Sequence, residues 1–300
     1  MTPAPENGRV LLSEEGLHIH THHLGKKRRK AMKRRNHDLQ RFEDVLGSSL
    51  GPLVLNPPDW VKRGIGRRLG NGSLVVVSAV CPDYEVKGGR FTYRKLNEGV
   101  PFIAREHLEV AANVGKRLAE NGIDFQYSMT LADTEFDLPL VVKALSDGDS
   151  AEFLRRCEAS CEALKRRATE LGIRLLDCKR FTAAFPSWFE IYGKALEYMK
   201  RVVTTDESSA FDLDSLSANR MPLYRAMAGG AADAEYCRAM VLRQWAQYAT
   251  WGECATREFG NNLVMMNHST PNLSCMNSPV FRNNRERIPI LQLGISTMPD

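Results

Sequence analysis

The 300-residue sequence has no apolar run near the roughly 18 residues a membrane helix needs; its longest clear one is residues 74–80. A membrane-spanning helix is thereby excluded. The first seven residues, MTPAPEN, lack a charged head followed by an apolar stretch, so no secretory signal is expected and the chain is expected to be cytoplasmic. The seven cysteines, at 81, 157, 161, 178, 237, 254 and 275, are odd in number and scattered, and none forms a CxxC pair. That pattern predicts reduced thiols rather than a disulfide framework, and it excludes the usual structural zinc site. Three chemical signatures are missing as well: GxGxxG after the first predicted strand, GxxxxGK[ST] anywhere, and GxSxG around Ser78. Dinucleotide binding of the Rossmann type, P-loop nucleotide chemistry and the hydrolase elbow all lose support.

Acidic residues are absent from residues 26–35, KKRRKAMKRR, and this is where the positive charge sits. The net charge of +5 arises from 41 basic and 36 acidic residues, and removing these eight cations leaves 33 against 36. The body is mildly acidic, with a basic segment near its amino end backed by Lys62, Arg63, Arg67 and Arg68. A block of this kind suits a polyanion, because each neutralised phosphate releases condensed counterions. Lys26, Lys27, Arg28, Arg29, Lys30, Lys33, Arg34 and Arg35 are therefore candidate contacts to RNA or DNA, the alternative being a solvated tail or a nuclear localisation signal. Phe42, Val45 and Leu46 follow at helical spacing, so the segment reads as a basic helix that docks by its far end. His18, His20 and His22 of HxHxHH would share one face of an extended chain, but no other histidine-rich or carboxylate-rich stretch completes a metal site, and the segment reads as a polar leader.

Residues 1–70, rich in proline and glycine, read as this arm and an irregular lead-in, and residues 71–300 as the folded catalytic domain. Leu74, Val75, Val76 and Val77 predict a strand buried on both faces. Helical periodicity over 103–121 stops at Gly122, alternation over 123–131 gives a second strand, 151–171 is helical up to Gly172, and 173–176 is a third strand. Helices over 187–203, 221–228 and 234–259 make the second half helix-rich, and strands over 263–266 and 288–293 follow. Alternating strands and helices predict an α/β, Rossmann-like fold: a mostly parallel sheet of about five strands, with helices on both faces.

Ligands of such sheets bind beyond the carboxyl ends of the strands. The first strand leads to Ser78, a possible nucleophile, and then to Asp83, Tyr84 and a Gly-rich loop whose Arg90 and Arg94 suit a phosphate or carboxylate. The second leads to Asp133 and Glu135, which would bind an amine, take up a proton or cap the next helix. The strand at 263–266 leads to Asn267 and to His268, whose amide and hydroxyl neighbours favour a catalytic or ligand-contact role over a place in an apolar core. His107 is the other histidine of the body. Cys157 and Cys161, four apart on a packing helix, read as core. The long helix adds Tyr248 and Glu253, which would face one pocket only if the helix were irregular near Gly252.

A first strand ending in serine, VVVSAVCPDY, followed much later by a helix with Tyr and Glu, QYATWGECA, and then a strand resembles the tRNA-dependent cyclodipeptide synthases in organisation across residues 74–300. The resemblance implies a catalytic domain like that of class I aminoacyl-tRNA synthetases, without ATP or other cofactor. It also implies aminoacyl-tRNA as substrate and partner, an aminoacyl ester on Ser78, and a cyclic dipeptide product, with Tyr248 and Glu253 in the catalytic pocket. A second resemblance, carried by GVPFIAREHL and FGNNLVMMNHS, is to the isonitrile synthases of the pyoverdine and dityrosine pathways. It implies condensation of an amino acid with a pentulose phosphate, with Arg90, Arg94 or Lys95 on the phosphate and His268 catalytic. The basic segment favours the first, since a tRNA substrate has a use for eight clustered cations. A non-catalytic RNA-binding protein is the third possibility.

Overall fold

The computed structural model describes residues 30–47, 50–80, 84–87, 90–93, 100–133, 142, 148–204, 213–268 and 288–294. Helix α1 (residues 30–42) runs into a π-helical turn at Glu43–Gly47 and is followed by α2 (Asp59–Leu69). Strand β1 (Ser73–Val80) leads to a separate antiparallel hairpin, β2 (Tyr84–Lys87) and β3 (Arg90–Tyr93), and then to α3 (Phe102–Glu120) and β4 (Asp124–Leu131). Helix α4 (Ser150–Glu170), β5 (Leu175–Arg180) and the one-turn α5 (Phe181–Ala184) come next. A helical run of α6 (Trp188–Thr204), α7 (Leu213–Met227) and α8 (Ala234–Phe259) precedes the last strands, β6 (Leu263–His268) and β7 (Ile290–Leu293).

The sheet has the order β5-β4-β1-β6-β7, and every pair in it is parallel. From β1 the chain winds outward through β4 to β5, then returns over α6 to α8 to place β6 on the other side of β1. The direction of winding reverses between β1 and β6, and at such a switch point the carboxyl ends of the strands open into a crevice. This is the expected α/β, Rossmann-like architecture.

Alternation along the strands divides the core in two. Leu74, Val76 and Val80 of β1, Tyr127, Met129 and Leu131 of β4, and Val264 and Met266 of β6 face a layer made by α2, α3 and α4. Val75, Val77 and Ala79 of β1, with Leu263 and Met265 of β6, face Trp188, Ile191, Trp245, Trp251 and their neighbours on α6 to α8. Gly122 (φ 66°) and Gly172 (φ 70°) end α3 and α4 in the left-handed conformation that the sequence pattern predicted.

The lead-in expected to be irregular is helical over Asp59–Leu69. Pro58 stands at its N-cap, where a missing N–H costs nothing, and its glycines lie within the helix rather than in turns. Phe42, Leu46, Val61, Ile65 and Leu69 are buried in the same core as Leu74 and Val76, so the packed part of the chain begins well before residue 71. Arg68, grouped with the surface cations by its sequence, is buried: it donates to the carbonyls of Leu263 and Gly64, each at 2.8 Å, and burial, then the Arg67 charge, lowers its pKa to about 10. The hairpin is a further addition to the predicted elements.

Candidate active site

Ser78 lies on the central strand in register with Met129 of β4 and Met266 of β6, on the α3 side of the sheet. Two residues back on β4, Tyr127 reaches the same side, and two residues on in β6 so does His268. Helix α3 covers them with His107, which shares the buried stripe of Ala104, Leu108 and Ala111. The four side chains form one chain of contacts. Tyr127 Oη donates to Ser78 Oγ at 2.8 Å, His107 Nδ1 lies 2.9 Å from the same oxygen, and His107 Nε2 lies 3.1 Å from His268 Nδ1. The imidazoles meet edge to face, their planes 82° apart.

One proton per contact satisfies this arrangement. With Tyr127 donating to Ser78, the serine proton points to His107 Nδ1, His107 carries its own proton on Nε2, and His268 accepts at Nδ1. All four groups are buried. Burial, with the neighbouring His268 adding to it, holds His107 well below the usual histidine range, and burial lowers His268 to about 4. Burial raises the Tyr127 phenol above its ordinary range, against the lowering effect of its bond to Ser78. At neutral pH the site therefore holds two neutral imidazoles and a protonated phenol around the serine. Such a set can take a proton from Ser78 Oγ onto His107, with His268 accepting the bond that His107 Nε2–H makes as its ring gains charge.

The backbone at the serine is fixed from the other face. Thr130 Oγ1 donates to the Ser78 carbonyl at 3.1 Å and accepts the indole N–H of Trp251 on α8 at 2.7 Å. Asn267 is buried on that α8 side, since it alternates with His268.

The remaining predicted residues sit elsewhere. Asp133 is buried at the end of β4, where it accepts the Thr182 amide at 3.1 Å, an Arg180 Nη1 proton at 3.1 Å and the Thr182 hydroxyl. Burial raises its pKa, and the bonds from Thr182 and the Arg180 charge oppose the rise. It joins β4 to the β5–α5 junction, the capping alternative applied to a helix that follows a different strand. Glu253 is buried and bonded by Arg257 Nε at 2.7 Å, while Tyr248 is half-buried. Helix α8 is unbroken between them, and five residues at 3.6 per turn set them about 140° apart, so the irregularity that would join them is absent. The contacts to Ser78, His107, Tyr127 and His268 given above come from neither residue.

Lys30, Lys33, Arg34 and Arg35 are exposed on α1. Tyr84 and Arg90 open the two hairpin strands. Their side chains, and Lys26, Lys27, Arg28, Arg29, Asp83, Arg94, Glu135 and the histidines at 18, 20 and 22, lie outside the described residues. The described cysteines, 157, 161, 178, 237 and 254, are buried and form no disulfide. Among the described residues no group of three or more His, Cys, Asp or Glu could hold a metal ion, and no helix is long and apolar enough to cross a membrane.

His107 and Tyr127 belong to the site without having been candidates. A histidine in apolar company reads as core, yet a base that must stay neutral needs that environment. The available signal was the position of His107 on the same helical stripe as Ala104, Leu108 and Ala111, which points an ionisable group at the sheet.

No protein-family model matches the chain, and no curated protein matches it by sequence. Among solved structures the chain is similar to a cyclodipeptide synthase from Bacillus thermoamylovorans, at 12% identity over 81% of this chain and 96% of that one, with a TM-score of 0.44. It is also similar to the CDPS from Staphylococcus haemolyticus, at 14% identity over 79% and 97% with a TM-score of 0.44. A further likeness is to the PvcA protein from Pseudomonas aeruginosa, at 14% identity over 87% and 77% with a TM-score of 0.41.

Proposed function

We propose that this chain is an aminoacyltransferase that takes an aminoacyl group from aminoacyl-tRNA onto Ser78 and joins it to a second one as a cyclic dipeptide. The observation that carries the chemistry is the Ser78 hydroxyl between Tyr127 and His107, with His268 behind it, beside the crevice of a parallel sheet. The exposed cations of α1 support a nucleic-acid substrate, and the resemblance of residues 74–300 to the tRNA-dependent cyclodipeptide synthases supplies its class.

In this reading Ser78 Oγ attacks the ester carbonyl of the first aminoacyl-tRNA while its proton passes to His107 Nδ1. The terminal ribose oxygen of the tRNA leaves and takes that proton back. The amine of a second aminoacyl-tRNA then attacks the Ser78 ester, and a proton from the amine returns to Ser78 Oγ through His107. The dipeptide's free amine closes on its own ester, and the ring is released as the second tRNA recovers its hydroxyl.

The test is incubation with charged tRNA and, separately, with free amino acid and a pentulose phosphate. A cyclic dipeptide that disappears after RNase treatment, with an acyl group on wild-type Ser78 and none on Ser78→Ala, is the expected result. Product from free amino acid would replace this reading with isonitrile-type condensation. Tight RNA binding without turnover would replace it with an RNA-binding module.

A further inference from the structure

Two buried polar side-chain nitrogens have no hydrogen-bond partner among the described residues, Nε1 of Trp188 and Nε2 of Gln247. Trp188 lies in an aromatic cluster, its ring centroid 5.3 Å from Phe181 and 6.4 Å from Phe185, and the packing of a large ring offsets one missing bond. Gln247 brings no comparable apolar surface. The residue is 2% exposed, and an amide nitrogen kept dry and unpaired destabilises the fold unless something else completes it.

The position of Gln247 says what would complete it. Helix α8 turns through Gly260–Asn262 directly into β6, so it runs against the strands, and moving toward its amino end approaches their carboxyl ends. Trp251, on the sheet side of α8, bonds Thr130 beside the Ser78 carbonyl. Gln247 precedes it by four residues, on the same stripe and about 6 Å nearer the carboxyl edge. Asn267 of β6 is buried on this side of the sheet too. Gln247 thus belongs to the α8 wall of the crevice, and His107 to the α3 wall.

We infer that Gln247 is a substrate-recognition residue whose Nε2 donates to a carbonyl or carboxylate oxygen in the amino-acid portion of the substrate. A side-chain nitrogen with protons and no partner selects an acceptor, and the crevice beside Ser78 is where the acceptor arrives. The inference rests on the reading of this crevice as an aminoacyl pocket.

The probes are the 3′-amide analogues of aminoacylated adenosine, carrying each of the twenty amino acids, and the twenty free amino acids. Their dissociation constants are measured for the wild type and for Gln247→Met, which keeps the length and removes the donor, alongside thermal unfolding. The expected result is a variant that unfolds at the same or a higher temperature and binds at least one probe about 10-fold more weakly. A loss confined to aspartate, asparagine, glutamate and glutamine probes assigns the contact to a side-chain oxygen; a loss across all probes assigns it to the shared α-carbonyl. Gln247→Glu, which keeps the shape and replaces the donor by an anion, is expected to lose the same probes, and either variant that folds decides the matter. Equal binding by wild type and variant, or no probe bound by the wild type, overturns the inference. Acylation of Ser78 from charged tRNA is scored separately. Weaker probe binding without acylation retains Gln247 and discards the proposed reaction, and acylation with unchanged probe binding does the reverse.

Discussion

The two histidines make acid sensitivity a property of single residues. An unfolded chain binds protons at both rings near pH 6.5, whereas the folded protein leaves His268 neutral down to about pH 4 and His107 neutral to well below its usual range. The unfolded state therefore holds more protons in that window, and stability falls as pH drops from about 6.5 toward 4. His268 alone accounts for on the order of 3 kcal/mol of this loss. Urea melts at pH 7 and pH 5 should show the difference, and His268→Asn should flatten it; a wild-type midpoint that does not move would contradict the buried neutral pair. For turnover, His107→Ala is expected to cost about 10²- to 10⁴-fold in kcat, the range for removing a proton-transfer group. Tyr127→Phe removes one donor to Ser78 and is expected to cost about 10-fold or more with the fold kept. Single-turnover acylation measures both, and a His107→Ala protein that acylates at the wild-type rate would remove the imidazole from the chemistry. Ser78 and His268 were readable in the sequence because strand ends advertise polar residues. His107 and Tyr127 were not, because their periodicity is that of core residues and only the third dimension joins them to a serine.

At the level of elements, the close crossing of α1 and α2 joins the basic segment to the fold. A β-carbon built at Gly66 would stand 1.8 Å from the carbonyl oxygen of Asp38, a backbone atom that cannot swing aside. Gly66→Ala should therefore force the two helices apart and destabilise by about 1–3 kcal/mol. Gly193→Ala is the control: it lies on α6 with open space around the new methyl group, and it should stabilise by about 0.5–1 kcal/mol. Thermal denaturation of the pair should move in opposite directions, and equal shifts would disprove the packing argument. This crossing also explains why α2 escaped a reading from sequence. Glycine and proline signal a loop when they punctuate a polar stretch, but here Pro58 opens the helix and Gly66 supplies the gap into which another backbone fits. The sheet strands and long helices were readable because their buried faces repeat over at least two turns or four residues. The hairpin strands flank the Gly-rich, basic stretch Lys87-Gly88-Gly89-Arg90, which reads as a polar loop.

For the whole molecule, an acidic body with a basic helix at one end implies binding that responds to ionic strength. Changing Lys33, Arg34 and Arg35 together to Ala should weaken tRNA binding and lower the slope of log K against log salt by about one unit for each phosphate left without its cation. Acylation at saturating tRNA should stay unchanged, and a salt slope indifferent to the triple substitution would detach the helix from substrate binding. The order of the sheet carries a consequence for biosynthesis of the protein itself. Ser78 and His107 are 29 residues apart, whereas His107 and His268 are 161 apart, and β6 can pair with β1 only after α6, α7 and α8 have been made. A pairing of such long range forms late, because the intervening chain must first be ordered. A chain still emerging from a ribosome consequently carries its serine beside His107 but without His268, and the four-residue set is complete only once the last strands have docked.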